Sequence, residues 1–333
     1  MPPSFVRLLG LAGALALTGC TAAPTGAPAS EATVQAHLDA AKQAAGSDLQ
    51  PLLVLCRPAP ATRPTSNSAA LMALINQPAP PPGRAFDNVV YVGAKWVSAW
   101  AIQTSSGLVL IDALNNAQEA ETLIEQGLRR LGLDPSQLRT IVVTHGHGDH
   151  YGGVDYLLQR HHPQVVMSEA DWTMTETKLE FESPLWGPPP KRDVAVRDGQ
   201  RLTVGDTTLQ LYVTPGHTRG TLSVVFDARA GAQTHRVLLW GGTAFNFGKD
   251  LERLDQYIAS TERMRALAGE QKIDVMLSNH AGYDQALEKL EQLRTQGSGA
   301  ANPFVLGTAN VQRALTVMGE CARATRDRFA LMP

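Results

Sequence analysis

The stretch Thr140-Ile141-Val142-Val143-Thr144-His145-Gly146-His147-Gly148-Asp149-His150 decides how this chain is read. Its first five residues are apolar or β-branched, as expected of a buried strand. Four residues of metal-binding type then fall within six positions. Along an extended backbone alternate side chains point the same way, so His145 and His147 can reach one ion. Asp149 and His150 follow a glycine and can turn toward a second. Gly146 and Gly148 suit a backbone that bends tightly beside a metal. Imidazole and carboxylate donors together suit zinc. Without a cation, four such groups crowded at a strand end would repel one another or lose hydration without return. The isolated histidines His37, His161, His162 and His235 show no such pattern and are read as ordinary surface or core residues, His235 in a polar turn.

Outward from this loop strands and helices alternate, which implies a layered α/β architecture. Strands are expected at 89–92, 97–102, 108–112, 140–144, 165–167, 202–204, 207–213, 221–226, 236–240 and 273–277. Helices are expected at 30–45, 69–75, 117–131, 152–160, 251–267, 284–294 and 309–324. Residues 183–200 read as a long loop, and 46–84 as a proline-punctuated, largely irregular arm. A length of 333 residues allows a sizeable core. Lys plus Arg total 29 against 31 Asp plus Glu, so the basic surplus of a nucleic-acid-binding protein is lacking. Three cysteines exclude a disulfide-rich scaffold and a four-cysteine zinc site.

His145 to His150 form the H-x-H-x-D-H motif, and the chain from about Phe86 to Arg328 resembles the metallo-β-lactamase superfamily. Thr214-Pro215-Gly216-His217-Thr218 and Ser278-Asn279-His280 resemble its later ligand loops. Asn302-Pro303-Phe304, Asp198-Gly199 and Val204-Gly205 look like the third subclass of the zinc β-lactamases. Relatives acting on thioesters, lactones or phosphodiesters commonly place a bridging Asp between the last two ligand loops. Here Trp240 to Phe245 holds no acid, and no cysteine of the kind the first two lactamase subclasses use.

The resemblance implies a four-layer αβ/βα sandwich over residues 86–333, behind an arm at 20–85. It implies two zinc ions, one on His145, His147 and His217, the other on Asp149, His150 and His280. A metal-activated hydroxide, oriented by Asp149, would open the lactam ring of a β-lactam substrate. Asp112 matches a structural acidic position and reads as loop anchoring or as a strand-terminal turn residue. Candidate substrate contacts are Tyr151, Arg219 and Thr243; Phe245 stands where relatives often present a hydroxyl to a substrate carboxylate. A hydrolase of another cyclic amide or ester, or a non-catalytic zinc-binding lipoprotein, remain the alternatives.

At the N-terminus Arg7 precedes an apolar run from Leu8 to Leu17, too short to span a bilayer. Leu17-Thr18-Gly19-Cys20 resembles a lipoprotein lipobox, which implies a signal peptide over 1–19, lipidation of Cys20 and a membrane-anchored periplasmic location. In that oxidising compartment Cys56 and Cys321 are candidates to pair, or else stay separate buried thiols. Oligomeric state is not legible.

Overall fold

In a computed structural model, which describes residues 28–64, 68–297 and 299–333, the strands form two sheets. The first contains, in spatial order, β1 (Gly83–Phe86), β2 (Val89–Tyr91), β3 (Trp100–Thr104), β4 (Gly107–Ile111), β5 (Leu138–Val142), β6 (Gln164–Ser168) and β7 (Val194–Val196). It is antiparallel from β1 to β4 and parallel from β4 to β7. The second is built from β8 (Gln200–Val204), β9 (Thr207–Val213), β10 (Leu222–Ala230), β11 (Gln233–Trp240) and β12 (Val275–Ser278). Its order is β12-β11-β10-β9-β8, and only β11 and β12 are parallel.

The two-residue period of the strands sorts their side chains into separate cores. On β4, Val109 and Ile111 face the second sheet, while Leu108 and Leu110 face the opposite way. On β11, Val237 and Leu239 point inward and Leu238 and Trp240 outward. One core fills the space between the sheets, and one lies outside each sheet under helices. That is a four-layer αβ/βα sandwich, the metallo-β-lactamase fold. The helices are α1 (Glu31–Ala45), α2 (Ser68–Ile75), α3 (Ala117–Glu119), α4 (Gln126–Arg130), α5 (Gly148–Tyr151), α6 (Val154–His161), α7 (Glu169–Thr177), α8 (Leu251–Glu270), α9 (Ala281–Asp284), α10 (Ala286–Thr295) and α11 (Thr308–Leu331).

Several elements depart from the sequence expectation. The helix expected at 117–131 is broken by a π-helical turn, Ala120–Glu125, between α3 and α4. α7 was not expected; it buries only Asp171 and Trp172, too few for a periodic signal. β7 lies within the supposed loop 183–200 and is only three residues long. The strand expected from residue 97 starts at Trp100, because Ser98 donates its N–H to the Asn279 carbonyl instead of to a strand (2.9 Å). α11 runs past 324 because Phe329 is still buried. The helix expected at 284–294 is split by Gln285 in the left-handed conformation.

The arm is more regular than its prolines suggest. Ser30 caps α1 in a reciprocal box with Thr33. Behind it a 3-10 helix, Gln50–Cys56, adds Leu52 and Leu55 to the core that holds α8 and α11. Cys56 is disulfide-bonded to Cys321 of α11, and Arg328 donates to the Cys56 carbonyl at 2.8 Å. Residues 1–27, with Cys20 and the whole signal segment, lie outside the described residues. Among the described residues no helix is long and apolar enough to cross a membrane.

Replacing both Cys56 and Cys321 with Ser is expected to lower unfolding stability by roughly 2–5 kcal/mol, the usual effect of losing a native disulfide. Denaturant midpoints check this; an unchanged midpoint would show that the bond does not hold the arm.

Candidate metal centre

The motif loop leaves β5 at the edge where both sheets end. Thr144 accepts the Leu222 N–H through its carbonyl at 2.7 Å, which joins the first sheet to the second. Just past β4, Asp112 adopts φ 62°, a conformation costly for most side chains but tolerated by Asp. Its buried carboxylate accepts the Thr144 N–H (2.7 Å) and hydroxyl (2.8 Å) and faces His150 Nδ1 at 2.8 Å. Gly146 and Gly148 do not have positive φ. A Cβ on Gly146 would lie 2.5 Å from Met174, and one on Gly148 2.4 Å from the Trp186 ring. These glycines therefore admit close neighbours; the expected backbone bend is not their reason. At Gly241 a Cβ would fall 1.8 Å from the Leu222 carbonyl, so the close approach of the chain leaving β11 to the start of β10 requires glycine.

His145, His147 and His217 present ring nitrogens within 4.8 Å of one another; so do Asp149, His150 and His280 with their carboxylate oxygen and nitrogens. Each of the five imidazoles has one nitrogen engaged by an outer acceptor. His145 Nδ1 lies 2.8 Å from the Gly241 carbonyl, His217 Nδ1 2.8 Å from that of Ala244, and His280 Nδ1 3.0 Å from that of Trp96. His147 Nε2 faces Glu180 at 3.2 Å, and His150 Nδ1 faces Asp112. A carbonyl only accepts, so the outer nitrogens of His145, His217 and His280 carry the protons and their other nitrogens offer lone pairs.

Those lone pairs meet. His145 Nε2 and His217 Nε2 are 3.0 Å apart with the protons of both rings directed elsewhere. His150 Nε2 is buried without a hydrogen-bond partner, 3.4 Å from Asp149 Oδ2, which is itself 3.7 Å from His280 Nε2. Burial, then the neighbouring imidazoles, push His145 well below the usual histidine range. Burial chiefly does the same to His217, and lowers His280 to about 4. Burial opposes charge on His150 too, but Asp149 and Asp112 outweigh it and raise that ring to about 10. Burial would raise Asp149, yet His150 and its neighbours hold it below the ordinary carboxylate range. Neutral nitrogens facing one another, and carboxylates that demand positive charge, are what a pair of divalent cations satisfies.

A cleft of about 800 Å³ opens above these groups. His147, Asp149, His217 and His280 reach it, Trp96, Phe181 and Trp186 stand around it, and among the described residues Lys95 is the one lysine or arginine lining it. One wall is the arm, through Pro51, Val54, Leu71 and Leu74. The candidate substrate contacts Tyr151, Arg219 and Thr243 do not line this cleft. Tyr151 is buried and faces a separate hollow beside Leu179 and Pro184. Arg219 is exposed and paired with Glu252 at 3.4 Å. The Thr243 hydroxyl is buried behind the site, beside Trp240 and Met276. His235 lies on β11 rather than in a turn, 2.7 Å from Asp274. His161 is 2.6 Å from the buried Glu125, not solvated.

Motif reading missed the groups that hold the ligand loops. Asp171 accepts the N–H groups of Gly146 and Gly220 and the Thr218 hydroxyl, all within 2.9 Å. Asn279 donates to the Gly241 carbonyl and the Thr144 hydroxyl. Its place between Ser278 and His280 was the one available signal.

Residues 93–230 match the family described as the Metallo-beta-lactamase superfamily, a span that holds every grouped residue except His280. Over that span, about two-fifths of the chain, the sequence resembles the superfamily, and the chain has its fold. A hydroxyacylglutathione hydrolase of Cupriavidus metallidurans is 30% identical over 183 residues, 52% of this chain and 60% of that protein. The uncharacterized protein YobT of Bacillus subtilis is 35% identical over 40% of this chain and 58% of its own length. The chain thus spans about three-fifths of these two relatives. Among solved structures, BJP-1 of Bradyrhizobium japonicum, a subclass B3 metallo-β-lactamase, is similar with TM-score 0.61 and 29% identity, over 73% of this chain and 92% of that one. FEZ-1 of Legionella gormanii, at 23% identity and TM-score 0.62 over 72% of this chain and 94% of its own, supports the fold alone.

Asp112→Ala removes the outer acceptor of His150 and both anchors of Thr144. It is expected to weaken metal binding about 10- to 100-fold, the scale set by outer hydrogen-bond partners of ligand histidines. Titration with chelator-buffered zinc measures this, and parent-like affinity would show that Asp112 only shapes the turn.

Proposed function

We propose that the protein is a zinc-dependent hydrolase that opens β-lactam rings. The observation that carries this reading is that Trp240 to Phe245, between the two late ligand loops, presents no carboxylate to the triads. Gly241 and Ala244 contribute carbonyls to His145 and His217, and no carboxylate bridges the triads there. This agrees with the third-subclass pattern and with the similarity to BJP-1. The competing reading, from relatives named hydroxyacylglutathione hydrolases, requires recognition of a glutathione group with two carboxylates. A cleft lined by one lysine and an apolar arm suits that substrate poorly. It suits a lactam with one carboxylate and an apolar side chain.

In this reading His145, His147 and His217 hold one zinc, and Asp149, His150 and His280 a second. Zinc held there supplies Lewis-acid polarisation and an acidified water. Asp149 orients the attacking water through its inward oxygen, Lys95 takes the substrate carboxylate, and Trp96, Phe181 and Trp186 shield the reacting bond from solvent. The lipobox resemblance and the Cys56–Cys321 bond support a periplasmic, lipid-anchored protein.

Purified protein offered a penicillin, a cephalosporin, a carbapenem, an acylglutathione thioester and a homoserine lactone is expected to open the lactams. Chelation should abolish turnover and added zinc restore it. Hydrolysis of the thioester or lactone with no lactam opened would overturn the proposal, as would full activity in verified metal-free protein.

His217→Ala and Asp149→Asn are each expected to lose at least ~100-fold in kcat while staying folded, the scale of a lost electrostatic contribution to a transition state. His162→Asn serves as control, because His162 is exposed at the left-handed end of α6. A folded, metal-loaded His217→Ala variant as active as the parent would show that the ligand assignment is wrong.

A further inference from the structure

Glu180 and Arg253 belong to neither triad and lie 73 positions apart, yet they meet behind His147 and His217. Arg253, in the first turn of α8, is 2% exposed. Its Nε donates to the Gly216 carbonyl at 3.0 Å, its Nη2 to the His217 carbonyl and its Nη1 to Glu180 Oε1 at 2.8 Å. The guanidinium also lies 4.3 Å from the centre of the Phe247 ring. The other Glu180 oxygen faces His147 Nε2 at 3.2 Å. One carboxylate and one guanidinium therefore connect two of the three ligands of the first triad from the side away from the lone pairs.

The chemistry of the pair is directional. With Nε2 of His147 facing a carboxylate, that nitrogen carries the proton and Nδ1 is left as the donor for a metal. The loop around Gly216 is irregular, so its carbonyls need partners from elsewhere, and a planar guanidinium meets three spread acceptors in a fixed fork that the compact ammonium does not match. From the arm, Arg63 donates to the Glu180 backbone carbonyl at 3.3 Å but stands 4.0 Å from its carboxylate and 40% exposed, so Arg253 is the main counter-charge of that carboxylate.

We propose that Glu180 and Arg253 are positioning residues of the first triad: Glu180 sets the tautomer of His147, and Arg253 couples that setting to the His217 loop. The inference rests on the reading that the triads hold metal.

The test compares full-length parent with Glu180→Gln, Glu180→Ala, Arg253→Lys, Arg253→Met and the Glu180→Ala/Arg253→Met double variant. Bound zinc per chain is measured against free zinc set by a chelator buffer, beside the thermal midpoint of each metal-free chain. Glu180→Ala should weaken one of two bound ions about 10- to 100-fold and leave the other unchanged. Glu180→Gln, which keeps an acceptor but not the charge, should fall between it and the parent. The double variant should lose less than the two single losses combined. Arg253→Lys carries the argument if Arg253→Met fails to fold, and should weaken the same ion. Parent-like affinity for both ions in Glu180→Ala would overturn the proposal, as would equal weakening of both ions. Loss of thermal stability with unchanged affinity in the Arg253 variants would refute the coupling. A parent chain that takes up no zinc would instead refute the metal reading.

Discussion

The site depends on the outward nitrogens of its five histidines. A buried N–H must be satisfied, and here the acceptors come from Asp112, Trp96, Glu180, Gly241 and Ala244. Once those protons are directed outward, the remaining nitrogens converge. Each triad then takes two groups from the motif loop beside the first sheet and one from a loop of the second: His217 in one, His280 in the other. The arrangement persists only while both sheets stay in register, and the Leu222 to Thr144 hydrogen bond and the Asp171 carboxylate fasten them at that edge.

How far the chain could be read follows from where its information is local. The motif residues His145 to His150 sit on one loop, and the apolar run before them marks β5, so both were legible. The layered architecture was legible because strands and helices alternate along the chain; which face each strand residue takes was not, since Leu108 to Ile111 and Val237 to Trp240 are apolar toward both cores. α7 was not, since a helix that buries two residues has no stripe to detect. Nor were Glu180 and Arg253, whose meaning arises from contacts across 73 positions that no spacing rule encodes. Asp112 was half legible: its place after a strand was visible, its left-handed turn and three contacts were not. Tyr151 was chosen for its place beside His150, Arg219 as an anion contact and Thr243 for its resemblance to a hydroxyl-bearing stretch, and none of the three lines the cleft.

The arm draws its role from the same geometry. Its 3-10 helix is embedded in the helical layer around α11, while Val54 and Leu74 stay 41% and 36% exposed, although both are large and apolar. Such side chains gain most from burial, and these two line the mouth of the cleft. The disulfide to Cys321 therefore does more than stabilise the fold: it holds one wall of the cleft against the domain.

The division of each triad between the two sheets also has a temporal meaning. During synthesis the motif loop emerges first, His217 follows His145 by 72 positions, and His280 is made later still. A chain made only past His217 completes the first set but holds two members of the second, and two donors on a loop without their partner retain metal weakly. In the proposed two-metal reading, the second site is complete only after β12 has paired beside β11. In that reading, occupancy of the second site would record that the two sheets had been correctly joined.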